Sequence, residues 1–211
     1  MDFEDMIIVS TILDLFESLG CEKYPCGLIS VREHSLQAAA RAEREGAAAP
    51  LVLAALLHDI GYLLVRVCPR DGVQYEVDRR HEQVGAGWLE PFFGPAISEP
   101  VRLHVEAKRY LCAVEPGYGR QLSAASRERL AMQGGPLTRA EIRDFQEHPY
   151  HRAAVWLCRI DDRACVADGT EVPGFEHYRE RLEAALLWRQ LALESARRKG
   201  ICVAPGYREV G

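Results

Sequence analysis

Apolar side chains recur along this chain with a period near 3.6, and the residues between these stretches are those that start and stop helices. Residues 3–19 carry a stripe of Ile7, Ile8, Ile12, Leu13, Leu15 and Phe16, and Gly20 ends it. Ser30-Val31-Arg32-Glu33 reads as a capping box that opens a helix running to Gly46. Pro50 then starts a nearly continuous apolar run, Leu51 to Leu57, which closes on His58-Asp59-Ile60-Gly61-Tyr62. Between Val65 and Val77 the period is lost. Pro69 and Asp71-Gly72 there predict a short β-hairpin excursion near 65–77.

Helical spacing returns over Asp78 to Leu89, where Gly85, Ala86 and Gly87 allow close packing, and over Pro100 to Leu111. A short helix follows from Ser123 to Met132. A second capping box, Thr138 to Glu141, opens another that ends near His148-Pro149. His151 to Val166 and Arg179 to Lys199 complete the set, the last with Leu182, Ala185, Leu186, Trp188 and Leu191 as its apolar positions. The pattern is that of an all-α single domain spanning 1–211, without repeats, low-complexity runs or a second-domain linker.

Composition narrows the functional classes. With 211 residues, 48% apolar and 27% charged, the chain can bury a substantial core. Its formal charge of −5 and scattered basic residues argue against a nucleic-acid surface. No apolar run reaches the roughly 20 residues that span a bilayer. The acidic start, Met1 to Asp5, is unlike a basic signal peptide, so a cytoplasmic protein is expected. Seven cysteines without a zinc-site spacing point to reduced, structural thiols.

The candidate chemistry begins at His58-Asp59. An imidazole beside a carboxylate at the end of a buried helix is costly unless something holds the charge, and a metal ion is the strongest partner. His34, His81 and His104 stand before or inside apolar-periodic segments, and Asp161 lies beside the apolar face of its helix, with Asp162 and Arg163 free to point out. Four histidines and two aspartates on five helices can enclose two metal ions, with Asp59 placed to bridge them. Gln37 shares a side with His34 one turn on, facing either the same cavity or solvent. Lys108 is four residues from His104, on one face if the helix is continuous. His148 and His151 flank a helix break and read as surface residues.

The ordered set His34, His58, Asp59, His81, His104 and Asp161 resembles the two-metal version of the HD-domain superfamily. More narrowly, Glu33 to Gln37, Leu56 to Gly61, His104 to Leu111, Gln133 to Pro136 and Val172 to Arg179 resemble the di-iron organophosphonate oxygenases, over a span from Tyr24 to about Arg179. That resemblance implies an HD-domain helical bundle, a mixed-valence Fe(II)/Fe(III) pair held by those six residues, O2 as cosubstrate, and chemistry similar to that of inositol oxygenase. It implies that Tyr24 fills an iron position until substrate arrives, and that Lys108 and Ser126 contact the phosphonate. Three positions depart from the pattern. Gly27 replaces a glutamate that reads a substrate amino group, Tyr62 replaces a histidine, and Cys158 stands where an anion-binding arginine aligns, with Arg159 next to it.

The expectation is therefore an oxygenase for a small anionic hydroxylated substrate, contacted by Gln37, Tyr62, Lys108, Ser126 and Arg159, with C–P or C–C cleavage open. Metal-dependent phosphate-ester hydrolysis and a non-catalytic binding module are the competing readings.

Overall fold

The computed structural model describes residues 3–21, 29–67, 80–164 and 171–199, and among these every regular element is helical. In chain order the helices are α1 (Phe3–Ser18), α2 (Val31–Arg44), α3 (Ala49–Leu57), α4 (Ile60–Val67), α5 (His81–Phe93), α6 (Pro95–Val114), α7 (Tyr118–Gln121), α8 (Ala124–Met132), α9 (Arg139–Glu147), α10 (His151–Ala164) and α11 (Arg179–Arg198). A single 3-10 turn, Phe175–Tyr178, leads into α11. The expected hairpin is replaced in part: Val65 to Val67 continue α4, because Leu63 packs into the core at helical spacing from Ile60. The remainder of that stretch, 68–77, lies outside the described residues, as do Tyr24 and Gly27.

Helix α3 is the hub, packed against α2, α6, α10 and α11. Val52 to Leu57 are all buried, which fits an apolar run with no polar face. At His58-Asp59 the helix breaks, and α4 leaves at 43° to α3. No single described helix is long and apolar enough to cross a membrane. The α3–α4 pair is apolar because it is the core of the fold.

Both capping boxes form. Ser30 Oγ accepts from the Glu33 amide while the Glu33 carboxylate accepts from the Ser30 amide, and Thr138 with Glu141 repeats the arrangement. Helix α6 starts earlier than expected, at Pro95, so Pro100 is an interior residue and removes one of its backbone hydrogen bonds.

Two apolar clusters flank the centre of the molecule. One gathers α1 to α5, the start of α6, part of α10 and α11; the other gathers the rest of α6 with α7, α8, α9 and the start of α10. Helices α6 and α10 belong to both, and their polar residues lie along the seam. On α11 only Leu182 and Leu186 are buried, whereas Trp188 is 73% exposed and Leu191 is also exposed. At roughly 100° per residue, Leu191 falls about 180° from Leu182 and Trp188 about 240°, so these five apolar residues never formed one stripe.

Candidate metal centre and substrate cavity

Five segments deliver six buried polar side chains to the seam. His34 comes from the first turn of α2, fixed by the Ser30–Glu33 cap, and His58 and Asp59 come from the α3–α4 break. His81 is the first residue of α5, His104 lies mid-α6 and Asp161 lies on α10. The His81 placement depends on Gly61. A Cβ added there would sit 2.0 Å from the His81 carbonyl oxygen and 3.0 Å from the Gly85 amide nitrogen, so only glycine lets α5 approach α4 this closely. Gly85 also faces this contact, Ala86 is buried in the core, and Gly87 points to open space.

The six groups form two clusters joined by one carboxylate. His34 Nε2 and His58 Nε2 are 3.1 Å apart, and His81 Nε2 and His104 Nε2 are 3.2 Å apart. Asp59 turns one oxygen to each pair: Oδ2 is 3.3 Å from His58 Nε2 and 3.8 Å from His34 Nε2, while Oδ1 is 3.1 Å from His81 Nε2 and 3.9 Å from His104 Nε2. Asp161 Oδ1 completes the first cluster at 3.0 Å from His34 Nε2.

This donor set fits metal ions. His58 Nδ1 donates to the Ala55 carbonyl at 2.8 Å and His104 Nδ1 to the Val101 carbonyl at 2.7 Å, which puts the Nε2 lone pairs of both rings inward. Imidazoles that ligate metals are oriented by this kind of outer hydrogen bond. Asp59 Oδ2 is buried and accepts no hydrogen bond of proper geometry among the described residues. Lone pairs facing one another around an unsatisfied carboxylate oxygen are costly without a cation. His34, His58 and Asp59 make one candidate ligand group, and Asp59, His81 and His104 another.

Without a metal, the charges sort unevenly. Burial pulls the His58 imidazole down, but Asp59 and Asp161 outweigh it and raise its pKa to about 10. Burial lowers His104, and the neighbouring His81 and His58 lower it further, to about 3. Burial would raise both aspartates. His58 and His81 instead hold Asp59 well below the carboxylate range, and Lys108, His34 and His58 do the same for Asp161.

Beside the clusters opens a cavity of about 330 Å³ counting its mouth. Asp59, His81, His104 and Asp161 form its floor, and Tyr62, Val105, Lys108, Ser126, Arg129 and Gln133 its walls. Tyr62 stacks on His81, with ring centroids 4.2 Å apart and planes 10° apart, and so holds that imidazole in place. Lys108 Nζ lies 2.9 Å from Asp161 Oδ2 and 3.1 Å from Asp162 Oδ1. Burial would lower its pKa, but the two carboxylates raise it well above the ordinary lysine value. Asp162 thus faces inward, contrary to expectation, where it accepts from both Lys108 and Tyr118. Arg163 does face out, toward Glu45.

Gln37 is half-buried on α2 and Arg159 pairs with Glu115 at 2.5 Å; neither is part of the cavity wall. Residues two apart on a helix differ by roughly 200°, so a helix that turns Asp161 inward turns Arg159 away. Cys158 is buried, its Sγ 3.4 Å from the Tyr118 hydroxyl, and burial raises its thiol pKa. His148 faces Glu99, away from the cavity, as its surface reading implied.

Arg129 was not singled out by sequence reasoning, and Gln133 only as the start of the Gln133 to Pro136 stretch that carries the family resemblance, not as a cavity residue. The available signal was their spacing from Ser126, at i, i+3 and i+7 on one face of α8. The Gln133-Gly134-Gly135-Pro136 turn holds that face over the cavity. Gly134 and Gly135 have φ of 102° and 69°, and Arg109 on α6 donates to the Gly135 carbonyl and to Glu141.

Residues 31–134 match the family model for the HD domain. Beyond that class, the chain is 42% identical over 178 residues to hydroxymethylphosphonate dioxygenase of Gimesia maris, covering 84% of this chain and 88% of the relative. It is 38% identical over 173 residues to the glycine-betaine-forming [1-hydroxy-2-(trimethylamino)ethyl]phosphonate dioxygenase of Leisingera caerulea, covering 81% of this chain and 86% of that one. The chain belongs to the HD-domain phosphonate dioxygenases.

Proposed function

We propose that this protein is a di-iron oxygenase that cleaves the C–P bond of a small 1-hydroxyphosphonate, using O2 as cosubstrate. The observation that carries the reading is the pair of histidine clusters sharing Asp59 and opening on a cavity lined by Lys108 and Ser126. A phosphonate with a hydroxyl on the adjacent carbon is common to the names of both relatives. His34, His58, Asp59 and Asp161 would hold one ion, and Asp59, His81 and His104 the other. Imidazole and carboxylate donors suit iron. When bound, the two irons would supply O2 activation and polarise the substrate's hydroxyl oxygen.

The protein's own groups do the rest. Lys108 holds Asp161 through Oδ2, which keeps Oδ1 turned to His34. Ser126 Oγ accepts from Ser123 Oγ at 3.0 Å, leaving its own hydrogen to donate into the cavity. Ser126 and the Lys108 ammonium are suited to the phosphonate oxygens. Tyr62 keeps water off one face of His81 by stacking. Tyr24, outside the described residues, would serve as the gate that the family resemblance implies.

Among the described residues, the only carboxylates on the cavity are Asp59 and Asp161, both engaged at the centre. With Gly27 in place of a glutamate, this favours a substrate without a cationic nitrogen, such as hydroxymethylphosphonate. Its balanced conversion consumes one O2 and gives formate and phosphate, with the C–P bond broken and both oxygen atoms retained in products. The proposal includes action of 1–211 as one unit in a reducing cytoplasm, for which the free Cys21, Cys112 and Cys158 are the support.

The test is to incubate iron-loaded protein with hydroxymethylphosphonate, with and without O2, and to measure formate, phosphate and O2 uptake. Equimolar formate and phosphate appearing only with O2 is expected. Phosphate released from a phosphate ester without O2, with no turnover of hydroxyphosphonates, would assign the protein to hydrolysis instead.

A further inference from the structure

A polar chain links the cavity wall to a buried tyrosine that does not line it. Tyr118 opens the short helix α7. Gly117, at φ 88°, turns the backbone out of α6, and Glu115 just before it pairs with Arg159, which ties the turn to α10. Tyr118 is thereby buried against α10, outside the cavity wall.

The direction of each bond follows from its partners. The Tyr118 hydroxyl has one hydrogen and donates it to Asp162 Oδ2. Cys158, whose Sγ is 3.4 Å from the same hydroxyl oxygen, is left to donate its thiol hydrogen. Asp162 Oδ1 pairs with Lys108 Nζ at 3.1 Å, and that ammonium donates to Asp161 Oδ2 at 2.9 Å. An ammonium carries three hydrogens, so the two carboxylates leave one for the cavity that Lys108 lines. The metal ions proposed at the floor would attract any anion. What Lys108 adds is a direction, and the two carboxylates set it.

Tyr118 governs one of those carboxylates. Without its hydroxyl, Asp162 keeps Lys108 as its remaining partner among the described residues. The carboxylate is then free to rotate and offer Lys108 both oxygens, which draws a hydrogen away from the cavity.

We propose that Tyr118 is a positioning residue: by fixing Asp162 it aims the third Lys108 hydrogen at the anionic group of the substrate. The proposal rests on the phosphonate reading and adds to it a residue outside both the cavity wall and the metal ligands.

The experiment uses the full metal-loaded chain as wild type, Tyr118→Phe, Lys108→Gln and the double variant. Tyr178→Phe is the control, since it removes another buried tyrosine hydroxyl bonded to a carboxylate, that of Glu43, away from the cavity. KM and kcat are measured with hydroxymethylphosphonate, and Kd for inorganic phosphate by calorimetry. Tyr118→Phe is expected to raise KM and the phosphate Kd about 3- to 10-fold, the size of one net hydrogen bond, with kcat within about threefold of wild type. In the Lys108→Gln background the same change should alter the phosphate Kd by less than about twofold, because the group that Tyr118 aims is gone. Tyr178→Phe should match wild-type affinities.

A phosphate Kd in Tyr118→Phe raised less than about threefold would overturn the proposal. So would an equal loss with and without Lys108, a fall in kcat with KM and Kd unchanged, or the same loss of affinity in Tyr178→Phe. If wild type binds phosphate without oxidising hydroxymethylphosphonate, the functional reading alone fails and the phosphate affinities still decide the role of Tyr118; if wild type binds no phosphate, the proposal falls. Should Lys108→Gln not fold, Tyr118→Phe against Tyr178→Phe decides: lost phosphate affinity in the first alone supports the proposal, and loss in both or in neither overturns it.

Discussion

Replacing Gly61 by alanine should remove one metal ion while sparing the other. The added Cβ would lie 2.0 Å from the His81 carbonyl oxygen and 2.7 Å from its carbon, where ordinary contact begins near 3.4 Å. The start of α5 must therefore retreat by roughly 1.4 Å, because both clashing atoms are backbone and cannot rotate away. Metal–ligand distances tolerate only about 0.2 Å, so His81 would leave ligation distance of an ion shared with Asp59 and His104. His34, His58 and Asp161 lie on other helices and keep their places. Overpacking of this kind costs about 1–3 kcal/mol, and at about 2–4 °C per kcal/mol for a chain of this size the Tm should fall by roughly 2–12 °C. The assay is metal content after reconstitution and dialysis, alongside a thermal melt. Gly87→Ala on the same helix is the control: its Cβ would meet open space, so it should gain up to about 1 kcal/mol in stability and keep both ions. Full metal content and an unchanged Tm in Gly61→Ala would refute the claim that close backbone packing places His81.

Three further outcomes follow from the same structure. Lys108→Gln leaves Asp161 and Asp162 without their half-buried cation and should destabilise the fold by up to about 3 kcal/mol, the low end for a buried pair, read by chemical denaturation; a loss under 1 kcal/mol would show that the ion pairs are solvated. Chelation should lower the Tm, since an ion at 100 times its Kd contributes about 2.7 kcal/mol of stability, and a melt indifferent to chelator would count against a metal in the core. Acid should weaken the α2 cap. The Ser30 amide and hydroxyl lower the Glu33 pKa below 4.5, so that contribution is complete above pH 4.5 and is lost as pH falls through the lowered value. Glu33→Gln should lack this component of the acid transition, and identical acid profiles would remove it.

The parts of the site that were readable in sequence are those set by local chemistry. Ser30 with Glu33 and Thr138 with Glu141 announce helix starts, and the unbroken apolar run before His58 marks the buried hub. His34, His58, Asp59, His81, His104 and Asp161 could be picked out because polar residues in apolar-periodic segments stand out. Arg129 could not, because α8 is polar on most sides and offers no contrast, and Gln133 stood out only through the Gln133 to Pro136 motif. The outward turn of Arg159 was available from helical angle alone, given Asp161. By contrast, the inward turn of Asp162 depends on Tyr118 and Lys108, which are distant in sequence. The reach of α4 through Val67 was hidden by the turn residues just beyond it.

The central claim is that Asp59 joins two metal ions, one through each oxygen. Anomalous diffraction from iron-loaded crystals tests it most directly. Two iron peaks are expected, one beside His34, His58 and Asp161 and the other beside His81 and His104, with Asp59 Oδ2 on the first and Oδ1 on the second. A single peak, or two peaks that do not share Asp59, would contradict the account.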